Sequence, residues 1–170
     1  MNRLIILDGL SGIGKTTIAR ELARRIGAVH LRIDSIEQAI RECVEVRPPL
    51  DEAGYRIAYV VAEDNLRVGR IVIADSVNPL PVTRDAWLGV ANRTGVSAIE
   101  IELKCSDADE HRRRVETRTA DIPGLNLPTW QAVVSREYRS WGREHIVINT
   151  ARLSVEESVK ILQSASGHLK

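Results

Sequence analysis

The stretch DGLSGIGKTT, residues 8–17, holds three glycines, a lysine and two threonines in ten positions. It begins where the apolar run Leu4 to Leu7 stops, and it ends where apolar residues at helical spacing begin with Ile18, Leu22 and Ile26. Gly9 and Gly14 are separated by four residues and followed by Lys15 and Thr16, which satisfies the pattern GxxxxGK[ST]. That pattern arises by chance in roughly one chain of this length in two hundred. A strand before it and a helix after it are the context the motif needs.

The chemistry follows from the residue types. Along Gly9, Ser11, Gly12, Ile13 and Gly14, backbone N–H groups can point inward at phosphate oxygens, and the helix N-terminus with Thr17 adds further N–H groups and partial positive charge. Lys15 supplies a mobile full charge for the outer phosphates. The Thr16 hydroxyl suits Mg²⁺, an ion that takes few protein ligands beside phosphate oxygens and water. The stretch therefore predicts a site for a nucleoside triphosphate with its Mg²⁺.

Apolar runs of strand length recur at residues 4–7, 28–31, 71–74, 98–103 and 145–148, with segments of helical spacing between them. The alternation predicts parallel strands joined by right-handed crossovers, with helices on both faces. LIIL and IVIA are apolar throughout, as strands covered on both sides are. Pro48-Pro49 is expected to break a helix beginning near Ser35. Residues 121–128, DIPGLNLP, are dense in turn formers and suit either a mobile flap or an ordinary surface loop. They lie between a basic helix, residues 107–119, and a helix expected to start near Pro128.

The 170 residues fit one domain, residues 1–170. Lys and Arg number 24 against 23 Asp and Glu, so no global field draws the chain to nucleic acid or an anionic membrane. Cys43 and Cys105 fit neither a disulfide framework nor a paired-cysteine metal site, which suggests reduced thiols in the cytoplasm. No apolar segment reaches the length of a membrane span or a signal peptide. Oligomeric state is left open.

Three later places bear on what is done with the nucleotide. In HLRIDSIEQAI, residues 30–40, Asp34 follows the second strand, where a carboxylate can cap the next helix or accept a proton from an attacking hydroxyl. In RIVIADSVNP, residues 70–79, Asp75 ends a strand, where it can hold Mg²⁺ through water or serve a polar turn. In EHRRRVETR, residues 110–118, Arg114 and Arg118 are four apart and are expected to share a helix face. They suit either a solvated basic face or a closure over the triphosphate that neutralises the transferring phosphoryl group.

Together these stretches resemble the small P-loop kinases of the nucleoside-monophosphate-kinase type, with the kinase domains of polynucleotide kinases, zeta toxins, gluconate kinases and chloramphenicol phosphotransferases as relatives. GLSGIGKTTIARELA resembles the family's phosphate loop and first helix, and LRIDSIEQAI its second-strand block. IVIADSVNPLPVTRDAW is similar to a block of aspartate, asparagine and arginine, RRRVETR to the arginine lid, and IVINTA to the last strand and adenine-side loop.

The resemblance implies a P-loop NTPase three-layer α/β/α sandwich, with a five-stranded parallel sheet in the order 2-3-1-4-5 and a small helical lid at about residues 112–128. It implies Lys15, Asp34, Arg114 and Arg118 as catalytic residues, Thr16 and Asp75 at the metal, and Asn149 and Thr150 on the adenine side. Asp34, Glu37, Asn78 and Arg84 are implied on the acceptor side. Glu37 stands where polynucleotide kinases tend to carry an arginine. The expectation is an ATP- and Mg²⁺-dependent transfer of the γ-phosphate to a hydroxyl of a small molecule. A polynucleotide 5′-hydroxyl kinase and a nucleotide-operated ATPase or switch are the alternatives.

Overall fold

A computed structural model describes residues 2–43 and 51–167. The expected Pro48-Pro49 break lies outside the described residues. In chain order the elements are β1 (Arg3–Asp8), α1 (Lys15–Ile26), β2 (Val29–Arg32), α2 (Ile33–Cys43), α3 (Asp51–Arg67) and β3 (Val72–Asp75). There follow α4 (Pro81–Thr94), β4 (Ser97–Lys104), α5 (Ala108–Thr117), α6 (Trp130–Val134), β5 (Ile146–Asn149) and α7 (Val155–Ala165). The five strands form one parallel sheet in the order β2-β3-β1-β4-β5, which is the P-loop NTPase topology expected from the sequence.

The two-residue period of a strand sorts the central strand between two cores. Ile5 and Leu7 face α1 and α7, where they meet Ile18, Leu22, Val159 and Leu162. Leu4 and Ile6 face α3 and α4, where they meet Ala58, Leu66, Trp87 and Val90. Each fully buried aliphatic side chain contributes about 1.5–3 kcal/mol of transfer free energy, so the two-sided burial of LIIL holds the strand in the middle of the sheet. The helices stop where the sequence allows a left-handed residue: Gly27 ends α1 at φ 66° and Gly95 ends α4 at φ 67°. Ser154 and Glu157 form a reciprocal capping box at the start of α7.

This topology brings the C-terminal ends of β1, β2 and β3 together. In an open parallel sheet, such an edge is where ligands bind. Asp8, Arg32 and Asp75 all end their strands on that edge, with Arg32 in register with Asp75 and Leu7 in register with Asp75 on the other side.

Candidate functional site

The loop after β1 turns on glycines with positive φ, +136° at Gly9, +84° at Gly12 and +96° at Gly14. At Gly12 a Cβ would collide with Val115 of α5, so the loop and that helix are in intimate contact. Gly14 is the N-cap of α1, and no side chain caps the first turn, which leaves its N–H groups facing the cleft. The Lys15 side chain folds back over the loop, its Nζ donating to the carbonyls of Gly9 at 2.6 Å and Leu10 at 2.9 Å. Burial lowers the lysine pKa; the Asp75, Asp34 and Asp8 carboxylates oppose that shift, and Arg118 adds to it.

Asp75 is 4% exposed. Its burial works to raise the carboxyl pKa, but hydrogen bonds from His30 and Thr16 and the charge of Lys15 outweigh it and hold the group below the usual carboxylate range. His30 Nε2 lies 3.1 Å from Asp75 Oδ2. Thr16 and Asp75 thus meet side by side, one hydroxyl and one ionised carboxylate. Among the described residues no cluster of three or more His, Cys, Asp or Glu side chains forms a protein-only metal cage. A pair of oxygen ligands next to a phosphate loop fits Mg²⁺, which completes its shell with phosphate and water.

Two cavities meet at the sheet edge. The first, about 690 Å³, is lined by Ser11 to Ile18, Asp34, Asp75, Arg114, Arg118 and Thr150. The second, about 920 Å³, is lined by residues of α2, α3, α4 and α6 and of the segments beside them, among them Glu37, Tyr55, Tyr59 and Arg136. Asp34 lines both, together with Ser11 and Val77. Residues 118–128 carry neither helix nor strand and border both spaces, with Arg118 and Asp121 on the first and Leu125, Asn126 and Pro128 on the second.

Several expected residues sit elsewhere than the sequence suggested. Asp34 lies in the first turn of α2, which begins at Ile33, so it is not the N-cap. Arg118 is the C-cap of α5, at φ −68° and ψ 148°, and so does not share a helix face with Arg114. Arg114 donates to Glu110, to the Thr150 hydroxyl and to the Thr150 carbonyl, which ties α5 to the loop after β5.

Arg84 lies away from both cavities. It is buried, paired with Asp8 at 3.0 Å, and donates to the carbonyls of Asn78, Ser140 and Arg139. Its guanidinium stacks on Tyr138 and Trp141. Asn78 is also wholly buried, and accepts from the Ser76 hydroxyl. Its neighbours Val77 and Pro79 line the second cavity instead. Asn149 holds the N–H groups of Ser106 and Ala151 and does not line the first cavity, whereas Thr150 does. Gly9 donates to its neighbour's carboxylate, and a Cβ there would strike the Leu103 carbonyl, so packing as well as its positive φ demands glycine.

The geometry also brings in residues unforeseen in the sequence. His30 is one; its signal was strand parity, because His30 and Arg32 are two apart on β2 and lie on one face. Arg32 and Arg20 both grip Asp121, at 2.8 Å and 2.7 Å, and so pin residues 118–128 to the sheet edge. His111 Nε2 lies 2.8 Å from the Ser11 carbonyl, to which it donates, and its ring meets Trp130 edge-on. Nothing in the basic run EHRRRVETR marked its one histidine as inward.

Solved structures share this fold along nearly the whole chain. A Chloroflexus aurantiacus protein assigned as a kinase superimposes with a TM-score of 0.77 at 17% identity, covering 98% of this chain and 96% of its own. The Mycobacterium tuberculosis APS kinase CysC, in complex with AMPPNP and APS, gives 0.74 at 17% identity with 98% of each chain covered. A sugar kinase from a Janibacter species gives 0.70 at 21% identity, covering 96% of this chain and 94% of its own. Among curated proteins, the ATP-dependent protease ATPase subunit HslU of Bartonella tribocorum is 29% identical over 143 residues, 74% of this chain. The match spans 31% of that relative's length. The family model described as AAA domain, AAA_33, matches residues 4–136, a span that runs from β1 past α6 and takes in the phosphate loop, Asp34, Asp75 and both lid arginines. The chain belongs to that family.

Proposed function

We propose that this protein is an ATP-dependent kinase that transfers the γ-phosphoryl group to a hydroxyl of a small molecule. The observation that carries the reading is the meeting of two cavities at Asp34, one at the phosphate loop and one of a size for a small acceptor. The three kinases with the same fold agree with it, one of them held with a nucleotide analogue and a second small ligand.

The roles follow from charge and position. The loop N–H groups and the start of α1 receive the phosphates. The Lys15 ammonium, with three protons and two carbonyl partners, keeps a donor for a phosphate oxygen. Thr16 and Asp75 would hold Mg²⁺, which would supply neutralisation of phosphate charge. His30 keeps Asp75 ionised and oriented. Asp34 accepts the proton of the attacking hydroxyl. Arg118 meets the charge that spreads over the transferring group. Thr150, fixed by Arg114, borders the far end of the nucleotide cleft.

The test is ADP release from Mg-ATP in the presence of a panel of nucleosides, sugars, sugar acids, antibiotics and a 5′-hydroxyl oligonucleotide. One small acceptor is expected to stimulate release, and Asp34→Asn to lower that stimulated turnover by roughly 10²–10⁴ with nucleotide affinity nearly unchanged. Stimulation by the oligonucleotide alone points to a polynucleotide kinase. Slow release that no acceptor changes, equal in both proteins, points to a nucleotide-operated ATPase, as the name of the HslU relatives has it.

A further inference from the structure

The second cavity is lined by three arginines, Arg41, Arg56 and Arg136, and three carboxylates, Asp34, Glu37 and Glu52, which are not matched pair for pair. Most arginines of this chain end on a carboxylate, as Arg93 does on Glu63 and Arg143 on Glu100. Arg56 of α3 and Arg136, two residues past α6, line the second cavity and have no hydrogen-bond or ion-pair partner among the described residues. They line one space from segments that are far apart in the chain. The charge of Arg136 is felt at the hydroxyl of Tyr55, which is hydrogen-bonded to the backbone of Asn78, between the lining residues Val77 and Pro79.

The cavity's carboxylates do not answer these two charges. Asp34 stands at the junction with the nucleotide cleft. Glu37 is engaged by Arg41 of the same helix at 3.5 Å. Glu52 lies one turn before Arg56 on α3 and makes no ion pair with it. With Glu37 engaged by Arg41 and Asp34 by Arg32 at 3.4 Å, two guanidinium groups are left with the one carboxylate of Glu52, which pairs with neither among the described residues. Tyr55, Tyr59, Leu80 and Val133 give the rest of the wall an apolar and aromatic character.

We infer that the acceptor carries an anionic group, a carboxylate, sulfate or phosphate, which Arg56 and Arg136 grip while the reacting hydroxyl faces Asp34. This rests on the kinase reading for the hydroxyl, and on the cavity alone for the anion. Arginine suits the task because its planar fork meets two oxygens of such a group at once. A body with one apolar face between hydroxyl and anion matches the tyrosine-lined wall.

The test is calorimetric titration of the protein saturated with Mg-AMPPNP, so that no anion can enter the phosphate loop. Three matched pairs serve as probes: glucose and glucuronate, adenosine and adenosine 5′-monophosphate, and N-acetylglucosamine and its 6-sulfate. The charged member of at least one pair is expected to bind about tenfold or more tightly than its neutral partner. Arg56→Ala and Arg136→Ala, both on exposed side chains, are expected to abolish that preference, while Arg70→Ala outside both cavities leaves it intact. Equal binding within all pairs, no binding by any charged member, or a preference that survives both substitutions overturns the inference. ADP release from Mg-ATP with the same six compounds separates the two readings. A charged compound that binds through the arginines but is never phosphorylated removes the kinase reading and leaves the anion site. A neutral compound phosphorylated as well as its charged partner does the reverse.

Discussion

Arg114 and Arg118 are one helical turn apart in sequence and yet meet different surroundings. Arg114 makes three hydrogen bonds within the protein, to Glu110 and Thr150. Arg118 lies on extended backbone past the end of α5, with Nε and Nη2 both buried and without a partner among the described residues. Burial lowers its pKa, with Arg32 adding to the shift, and the nearby Asp34 and Asp121 carboxylates do not cancel it. An orphaned guanidinium on the wall of a phosphate-sized cleft is a group whose partner arrives with the ligand. Arg118→Ala is therefore expected to lower turnover by roughly 10²–10³, as the loss of one donor to a developing charge does. Steady-state kinetics with a stimulating acceptor checks it, and Arg118→Lys, which keeps the charge without the fork, is expected to recover part. An unchanged kcat in Arg118→Ala removes the residue from the transition state. The four-residue spacing was legible in the sequence, but it implies a shared face only where both residues are helical. The end of the helix at Thr117, set by local packing, was not legible.

At the scale of elements, strands were easier to read than contacts between helices. The five apolar runs came within one residue or so of β1 to β5, because a strand covered on both faces leaves a continuous apolar trace. The docking of α5 on the phosphate loop left no such trace. Six of its ten residues are Asp, Glu or Arg, and only His111 and Val115 are buried, four residues apart. Val115 packs on Gly12, and His111 donates to the Ser11 carbonyl while its ring abuts Trp130 of α6. Since Ser11 borders both cavities and α6 walls the second, His111 is the contact through which the phosphate loop and the acceptor wall hold each other in place. His111→Ala leaves a half-buried carbonyl without its partner and is expected to cost about 0.5–1.5 kcal/mol. A thermal melt should fall by a few degrees, with His111→Gln recovering part through its amide N–H. An unchanged melting temperature in His111→Ala means that the contact contributes nothing.

For the molecule as a whole, the departure with the widest reach is Arg84, expected at the acceptor and found beneath the sheet edge. A resemblance in sequence can carry a residue's position in a block, but it does not tell which way the side chain turns. Here a carboxylate at the end of the central strand draws it inward. Asp8 and Arg84 head a polar layer in which Glu102 receives Tyr138 and His145, and Glu100 receives Arg143, so that residues 138–145 are strapped to the sheet. Burial pushes the Asp8 carboxyl up to about 7, against the opposing pull of Arg84, the Gly9 N–H and Lys15. A neutral Asp8 leaves Arg84 well served, since three carbonyls and two aromatic faces still surround it.

The folded state then binds a proton that the unfolded chain, with a carboxyl near 3.8, has already released. Between about pH 4 and pH 7 the unfolded state holds fewer protons, so stability falls as pH rises, by up to about 1.4 kcal/mol per unit, and levels off above pH 7. Asp8→Asn keeps one of the two acceptor oxygens that Arg84 and Gly9 now use and carries no charge at any pH. Subtracting its melting curve from that of the wild type between pH 5 and pH 8 cancels every other titrating group. The expected difference grows in favour of the variant toward pH 7 and is flat beyond it. Parallel curves, or a wild type that gains on the variant as pH rises, show instead that Asp8 stays ionised against Arg84 throughout, and that the layer under the phosphate loop is held by a full ion pair.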